Sequence, residues 1–153
     1  GLDKTRVLHP APGTLVNLTA SVPRDAADAV EQALFAAGAG RIGARYDQCS
    51  IRLDSQDGFR PLPGAGPAEG QVGKRKVAHN VLVKVTLPRH LQARALAALT
   101  TAHPYEEIAY QIDRVENESP DFGAGLMGRL PTPIAKGEFL GRVKQAFANA
   151  ALR

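Results

Sequence analysis

The sequence has no tryptophan and only one cysteine, Cys49, among its 153 residues. A single cysteine cannot form an internal disulfide, which excludes a disulfide-rich secreted domain and predicts a reducing, cytoplasmic compartment. No apolar run approaches the roughly 18 residues that a membrane helix needs, so a membrane is not an expected partner. The fold must therefore rest on a hydrophobic core, and 44% apolar with 22% charged residues is typical of a globular domain.

Charge is only mildly unbalanced, with a net value of +4. Nucleic-acid-binding domains concentrate positive charge on one face and interleave it with aromatic residues. Aromatic residues make up only 5% of this chain, and its one tight basic run is Lys74-Arg75-Lys76. The composition favours a solvated strand end or loop at this run, and nucleic acid is not an expected partner.

The first half of the chain predicts a strand, a helix and a second strand. Apolar residues alternate over residues 15–22 and then recur every three or four positions over residues 26–37, which indicates a strand followed by a helix. Asp25 is the predicted N-cap of this helix, and Gly38 is its predicted stop. A second strand is predicted over residues 45–53. Its candidate buried side chains are Tyr46, Cys49 or Ile51.

The second half repeats this order after a Gly- and Pro-rich loop over residues 58–73. Alternating apolar residues over 77–87 predict a third strand, and a helical period over 91–102 predicts a second helix that ends at His103-Pro104. Alternation over residues 108–112 predicts a fourth strand. The order strand–helix–strand therefore occurs twice.

The two halves also match in sequence. Ser21-Val22-Pro23-Arg24 aligns with Thr86-Leu87-Pro88-Arg89, 65 positions later, and Ala33-Leu34 aligns with Ala98-Leu99 at the same offset. The predicted fold class is α+β: a duplicated βαβ unit of ferredoxin-like type, with one antiparallel sheet and two helices on one face.

The remaining segments do not belong to this duplication. Residues 1–13 contain two prolines and no periodic pattern, which predicts a linker from a preceding domain. Residues 14–118 are the predicted ferredoxin-like domain. Residues 119–153 are predicted to be a strand–helix tail that begins another, truncated domain, with Phe139, Val143, Ala146 and Phe147 on one face of its helix.

Three blocks, in this order and spacing, resemble the inserted domain of the NIF-three-like proteins, the GTP cyclohydrolase type-two homologues. The blocks are Ala37-Gly38-Ala39-Gly40-Arg41-Ile42-Gly43 with Tyr46 to Ser50, Phe59-Arg60-Pro61 with Gly64 to Gly73, and His103-Pro104-Tyr105-Glu106-Glu107-Ile108-Ala109-Tyr110. The resemblance covers nearly the whole chain and extends to the tail.

This resemblance implies a function for a larger protein. Full-length members are toroidal hexamers with a dinuclear metal centre, for which zinc is one candidate, whose ligands lie in the two flanking domains. The insert resembles the trimeric PII and CutA proteins and implies a regulatory, gating or oligomerisation role. By this reading the chain carries no catalytic residues and no cofactor of its own, and self-association is the expected partnership. The alternative is an independent CutA-like trimer that binds a metal or a small ligand.

His103, Glu106 and Glu107 are the candidate metal ligands, with Cys49 as a fourth if the fold places it nearby. Imidazole, carboxylate and thiolate groups are ordinary ligands for a metal such as zinc. The competing interpretation, which is favoured, is that His103 and Pro104 form a helix-to-strand corner and that a glutamate caps or pairs locally. Cys49 is more typical of an inert strand thiol than of a nucleophile.

The glycines of the first helix-to-strand connection are the candidate ligand-binding loop. Gly38, Gly40 and Gly43, together with Arg41, could present backbone N–H groups to an anion. The loop lacks the Lys-Ser/Thr ending of a P-loop. Glycines that allow a tight turn with positive φ are the favoured interpretation.

Overall fold

The structure, a computed structural model, describes residues 2–147. Its main sheet is antiparallel and four-stranded, with strand order β3–β4–β2–β5. The strands are β2 (Leu15–Pro23), β3 (Ile51–Phe59), β4 (Lys76–Pro88) and β5 (Tyr110–Arg114), and the connecting helices are α1 (Ala27–Ala36) and α2 (Gln92–Ala102). This order is that of a duplicated βαβ unit, so the predicted ferredoxin-like fold class is confirmed.

The core lies between the helices and one face of the sheet. Alternate residues of β2 and β4 point to this face, because side chains of a strand alternate between its two sides. The residues buried there are Val16, Leu18, Ala20 and Val22 from β2, Val81, Val83, Val85 and Leu87 from β4, and Val30, Leu34, Ala95 and Leu99 from the helices. The other face of the sheet carries no helix among the described residues.

The sequence duplication is visible in the strand pairing. In the central pair of strands, Thr19 lies opposite Lys84, which is its own counterpart 65 positions later. A local two-fold relation between the halves therefore passes through this pair. The helices α1 and α2, which are also counterparts, pack against each other on the covered face.

The predicted second strand was placed too early. It begins at Ile51 instead of residue 45, and Tyr46 and Ile51 are exposed while Cys49 is half-buried. Two backbone bonds explain the shift: the Gly40 N–H donates to the Thr86 carbonyl and the Cys49 N–H to the Gly40 carbonyl, each at 2.8 Å. Residues 40–50 therefore form a separate connection, which contains a turn closed by a bridge between Ile42 and Tyr46, and the strand starts after it.

Of the two predicted ends of the first helix, the N-cap was wrong and the stop was confirmed. Asp25 does not cap α1: the N-cap is Ala26, whose backbone is already helical and whose side chain makes no cap bond. A turn from Pro23 to Ala26, closed by a 3.0 Å backbone bond, leads directly into the helix, whereas side-chain capping needs an extended N-cap residue. Gly38 does stop α1, with φ +97.

The segment predicted as a linker, residues 1–13, contains regular secondary structure. A strand β1 (Asp3–Pro10) pairs with β6 (Gly123–Arg129) as a separate antiparallel ribbon. Nearly all side chains of this ribbon are exposed or half-exposed, so the sequence lacks the alternation that would have revealed a strand. The assignment of residues 1–13 and 119–153 to other domains stays a prediction.

The predicted tail helix is present as α3 (Lys136–Ala146), and it contains no buried residue. Phe139 and Leu140 are exposed, and Val143 is half-buried. None of the described helices is long and apolar enough to cross a membrane.

Candidate functional site

The helix-to-strand corner after α2 is built around a buried histidine. His103 follows the last turn of α2, and its N–H donates to the Leu99 carbonyl. Its Nε2 lies 2.8 Å from the Ser21 carbonyl oxygen, and its Nδ1 accepts the Tyr105 N–H at 3.1 Å. These two partners fix the tautomer, because Nδ1 must be unprotonated to accept and Nε2 must carry the proton to donate.

Burial makes this imidazole prefer the neutral form. Desolvation lowers the pKa of His103, and the hydrogen bond to the Ser21 carbonyl opposes that shift without reversing it. Protonation would also remove the acceptor that Tyr105 N–H uses. The favoured interpretation of His103 and Pro104 as a structural corner agrees with this geometry.

Tyr105 joins the corner to the long loop between β3 and β4. Its hydroxyl donates to the Glu69 carboxylate at 2.7 Å, and its ring meets the His103 ring edge-on at 5.1 Å. Burial, reinforced by the Glu69 carboxylate, raises the pKa of Tyr105 to about 12, while the nearby Asn80 amide acts in the opposite sense. Glu69 also pairs with Lys76, and the hydrogen bond from Lys76 is the main reason why the pKa of Glu69 is lowered.

On the sheet, three polar side chains complete this cluster on the face that the helices leave uncovered. Ser21 donates to the Asp57 carboxylate, and the Asn80 amide donates to Ser21 Oγ at 3.1 Å and to Asp57 Oδ2 at 3.0 Å. Burial alone would raise the pKa of Asp57, but the hydrogen bonds from Ser21 and Asn80 hold it below its ordinary value. We call His103, Tyr105, Ser21, Asp57, Asn80 and Glu69 the corner cluster.

The predicted metal ligands are not brought together. His103 uses both ring nitrogens within the corner, and the Glu106 carboxylate accepts the Gly66 N–H at 3.0 Å. Glu107 is exposed. Cys49 lies at the other end of the sheet. Its backbone N–H donates to the Gly40 carbonyl, and the Gly40 N–H donates to the Thr86 carbonyl.

The separation follows from strand geometry. Ser21, the partner of His103, lies opposite Leu82, so the corner and the Thr86 end of the sheet are four residues apart along β4, or about 13 Å. Within residues 2–147, no group of three or more His, Cys, Asp or Glu side chains is placed to hold a metal.

The glycine connection serves the turn that was the favoured interpretation. Gly38, Gly40 and Gly43 all have positive φ. The N–H groups of Gly38 and Gly40 donate to the Phe35 and Thr86 carbonyls, so they are not available to an anion. Arg41 Nε donates to the Gly43 carbonyl at 3.2 Å. The use of this loop for ligand binding stays a prediction.

A shallow groove of about 920 Å³ does run past this connection. Gly38, Arg41 and Gly43 contribute to its lining, as do residues 115 and 117–122. Lys84 and Asp121 both contribute to its lining, so the charge in the groove is mixed. Its surface does not select one ligand chemistry.

The corner cluster performs no evident acid–base chemistry. Ser21 Oγ meets a carboxylate, but His103, the one buried imidazole among the described residues, contacts the Ser21 backbone instead of its hydroxyl. A nucleophile needs a base within hydrogen-bond reach of the attacking atom. What the arrangement does is lock the corner, one loop and three strands to one another.

Sequence reasoning found His103 but missed most of the cluster. Ser21, Asp57, Asn80 and Glu69 lie on four different segments, and only the strand register brings them together. One signal was available: Asn80 interrupts the apolar run of the third strand, and a buried amide must find hydrogen-bond partners.

No family model matches the chain. Curated relatives described as GTP cyclohydrolase 1 type 2 homologs do match: one from Mycobacterium bovis is 38% identical over 153 residues, which is 99% of this chain and 40% of that protein. One from Bacillus subtilis is 35% identical over 139 residues, which is 90% of this chain and 37% of that protein.

Among solved structures, the Bacillus cereus protein related to NIF3 matches all of this chain with a TM-score of 0.75 and 32% identity. The match covers 40% of that protein. CutA from Xylella fastidiosa matches 70% of this chain and 88% of its own length at a TM-score of 0.51 and 16% identity, which shows a shared fold alone.

The sequence and the structure therefore point to the same relatives. The chain spans about two fifths of the length of the curated relatives that it matches. Over that span, this chain belongs to the NIF3-related family of GTP cyclohydrolase 1 type 2 homologs.

Proposed function

We propose that the chain is the regulatory and oligomerisation module of a larger NIF3-related protein. In this proposal the parent is a hexamer with a dinuclear metal centre supplied by its other segments, and the module gates access to that centre. The family relationship and the CutA-like fold support the proposal. We further propose that the isolated chain self-associates as a trimer.

The observation that carries this proposal is an apolar patch on the uncovered face of the sheet. Leu53 lies opposite Leu82 in the β3–β4 pair, and Ile51 lies two residues further along the same face. Ile51 and Leu53 are 55% and 58% exposed. Exposed isoleucine and leucine side chains on one strand, beside the half-buried Leu82 of the next strand, mark a surface whose burial by a partner lowers the free energy.

The position of the patch also favours another protein chain as its partner. Strand β3 is an edge strand of nine residues, and within the described fold one side of its backbone has no strand beside it. A long, flat edge with apolar side chains promotes pairing with other chains unless it is covered. In a cyclic trimer, each copy pairs this edge with a different surface of the next copy. The opposite edge strand of the sheet, β5, offers such a surface on a second copy of this chain.

The test is the mass of the chain in solution, measured by sedimentation over a wide range of concentrations. We expect a trimer for the wild type and a monomer for Leu53→Lys, because the lysine would place a charge inside the interface. Leu62→Lys is the matched control, since Leu62 is similarly exposed at 61% but lies in the loop after β3. A wild-type chain that stays monomeric at all concentrations would contradict the proposed self-association.

The second candidate is an independent CutA-like trimer that binds a metal or small ligand. The observation in its favour is that the match to Xylella fastidiosa CutA covers 88% of that protein, so the fold shared here is nearly a whole chain there. This candidate predicts stoichiometric zinc uptake that His103→Ala and Glu107→Ala abolish. The absence of zinc uptake by the wild-type chain would remove this candidate.

A further inference from the structure

The loop between β3 and β4 has the shape of an Ω-loop. Its two ends meet at a neck, where the Gly73 N–H donates to the Pro61 carbonyl at 2.8 Å. Inside the neck, one further backbone turn, from Ala65 N–H to the Leu62 carbonyl, is formed at 3.1 Å. Most of the loop is exposed. A compact loop with close ends and few internal contacts can move as a unit about its neck.

Two side chains of the corner hold this loop in place. Tyr105 donates to Glu69 at 2.7 Å, and the Glu106 carboxylate accepts the Gly66 N–H at 3.0 and 3.3 Å. Both contacts come from adjacent residues of the His-Pro-Tyr-Glu-Glu run, and both involve a carboxylate, which strengthens a hydrogen bond. Lys76, at the start of β4, adds an ion pair to Glu69.

The loop is thereby connected to the buried part of the corner cluster. The Tyr105 N–H donates to His103 Nδ1, and His103 Nε2 donates to the Ser21 carbonyl. Asn80 is only 3% exposed and donates to Asp57 and Ser21. The contacts therefore run without a break from the exposed loop to the uncovered face of the sheet.

We propose that residues 61–73 form a strap that closes over the corner cluster and opens as one unit about its Pro61–Gly73 neck. Tyr105 and Glu106 are the positioning residues that hold the strap closed. When the strap opens, Glu69 and Gly66 leave the corner together, and the polar side chains around Asn80 become accessible beside the Leu53–Leu82 patch. The device lies within one chain and is independent of the proposed trimer.

Two features of the strap favour a discrete opening. Gly64 and Gly70 both have positive φ, a backbone conformation that glycine adopts and leaves at little cost. The strap also contributes little to the main core, which consists of residues from β2, β4 and the two helices. Opening it therefore leaves the sheet and helices intact.

The experiment is amide hydrogen exchange, followed by mass spectrometry on peptides from the strap and from β4, in the wild type, Tyr105→Phe and Glu106→Gln. We expect each variant to speed exchange throughout residues 62–73 by about tenfold, because Tyr105→Phe removes a hydrogen bond to a charged acceptor and Glu106→Gln removes the charge of an acceptor. The decisive readout is coupling: Tyr105→Phe must also speed exchange near Gly66, and Glu106→Gln must also speed exchange near Glu69.

Tyr46→Phe is the matched control, because Tyr46 is an exposed tyrosine whose backbone carbonyl makes its described hydrogen bond. It should leave the strap unchanged. Unchanged strap exchange in both test variants would overturn the proposal, as would an acceleration confined to the residue whose own contact was removed. Equal acceleration in residues 81–87 of β4 would also overturn it, since Tyr105 would then hold the fold as a whole.

Discussion

The two halves of the duplication share their core but differ where each helix returns to the sheet. In the first half, the connection is a glycine turn that places the Gly40 N–H on the Thr86 carbonyl. In the second half, it is the His-Pro corner, which places His103 Nε2 on the Ser21 carbonyl. Thr86 and Ser21 are counterparts, 65 positions apart. The helix-to-strand connection of each half is thus anchored to the other half, at positions that correspond in the duplication.

Both halves thus have an anchor to the sheet, but different groups make it. A backbone N–H can reach the carbonyl only where the chain comes very close, which needs glycine. An imidazole extends the reach of the chain and brings neighbouring side chains with it. The second half therefore has a polar corner cluster, and the first half has a compact turn.

The largest expected effect tests what the halves share. Leu34→Ala and Leu99→Ala change counterpart residues that are 1% and 0% exposed, and each should lower the free energy of unfolding by about 2–5 kcal/mol through lost burial and a new cavity. Urea denaturation measures both. A loss below about 1 kcal/mol for one of them would show that the halves contribute unequally to the core.

The next effect tests the glycine anchor of the first half. Gly40→Ala should cost about 2 kcal/mol or more, because φ is +78 and the new Cβ would lie 2.8 Å from the Phe35 ring and 2.9 Å from the Cys49 carbonyl. Gly43→Ala, with φ +61 and open space around it, should cost only about 1 kcal/mol. Thermal or urea unfolding measures the loss of stability in both variants. Equal losses would show that the close contacts of Gly40 add nothing to the cost of its positive φ.

A third change concerns an ion pair present only in the first half. Arg52 binds Glu31 through two hydrogen bonds of 2.8 and 2.6 Å, and the second half has Leu96 and Asn117 at the counterpart positions. The hydrogen bond from Arg52 is the main cause that lowers the pKa of the largely buried Glu31. Arg52→Met should cost about 1–2 kcal/mol, since it leaves a buried carboxylate without its partner.

Arg24→Met is the control for this change. Arg24 pairs with Asp54 at 2.8 Å, but both side chains are well exposed, so the expected loss is below about 0.5 kcal/mol. Urea denaturation of both variants at neutral pH gives the comparison. If the two losses are similar, the Arg52 pair behaves like a surface pair and does not distinguish the halves.

The smallest effect belongs to the histidine anchor of the second half. The folded pKa of His103 is lowered by burial, so the unfolded chain takes up the proton first as the pH falls. The stability that this group contributes is complete above its unfolded pKa of about 6.5 and is lost as the pH falls below that value. We expect the free energy of unfolding to decrease between pH 7 and pH 5.

The matched variants are His103→Asn and His79→Asn, measured by urea denaturation at both pH values. His103→Asn should flatten the dependence on pH, whereas His79→Asn, a change at an exposed residue of β4, should retain it. A wild-type slope that persists in His103→Asn would show that other groups cause it.

Local features of the fold could be predicted from the sequence more completely than long-range ones. The helical period of residues 91–102 gave α2 nearly to its ends, and the alternation over residues 77–87 gave β4. The start of β3 was missed because Ile51 and Leu53 lie on the uncovered face of an edge strand. An exposed strand does not show the burial that makes alternation informative.

The amino-acid sequence by itself determined the order of the elements, the duplication and the position of the corner, because periodicity and turn residues act over a few neighbouring positions. Only the tertiary structure decided which residues meet at that corner. Ser21, Asp57, Asn80 and Glu69 come together through the register of three strands and the path of one loop. Register depends on the packing of whole strands, and no local pattern contains it.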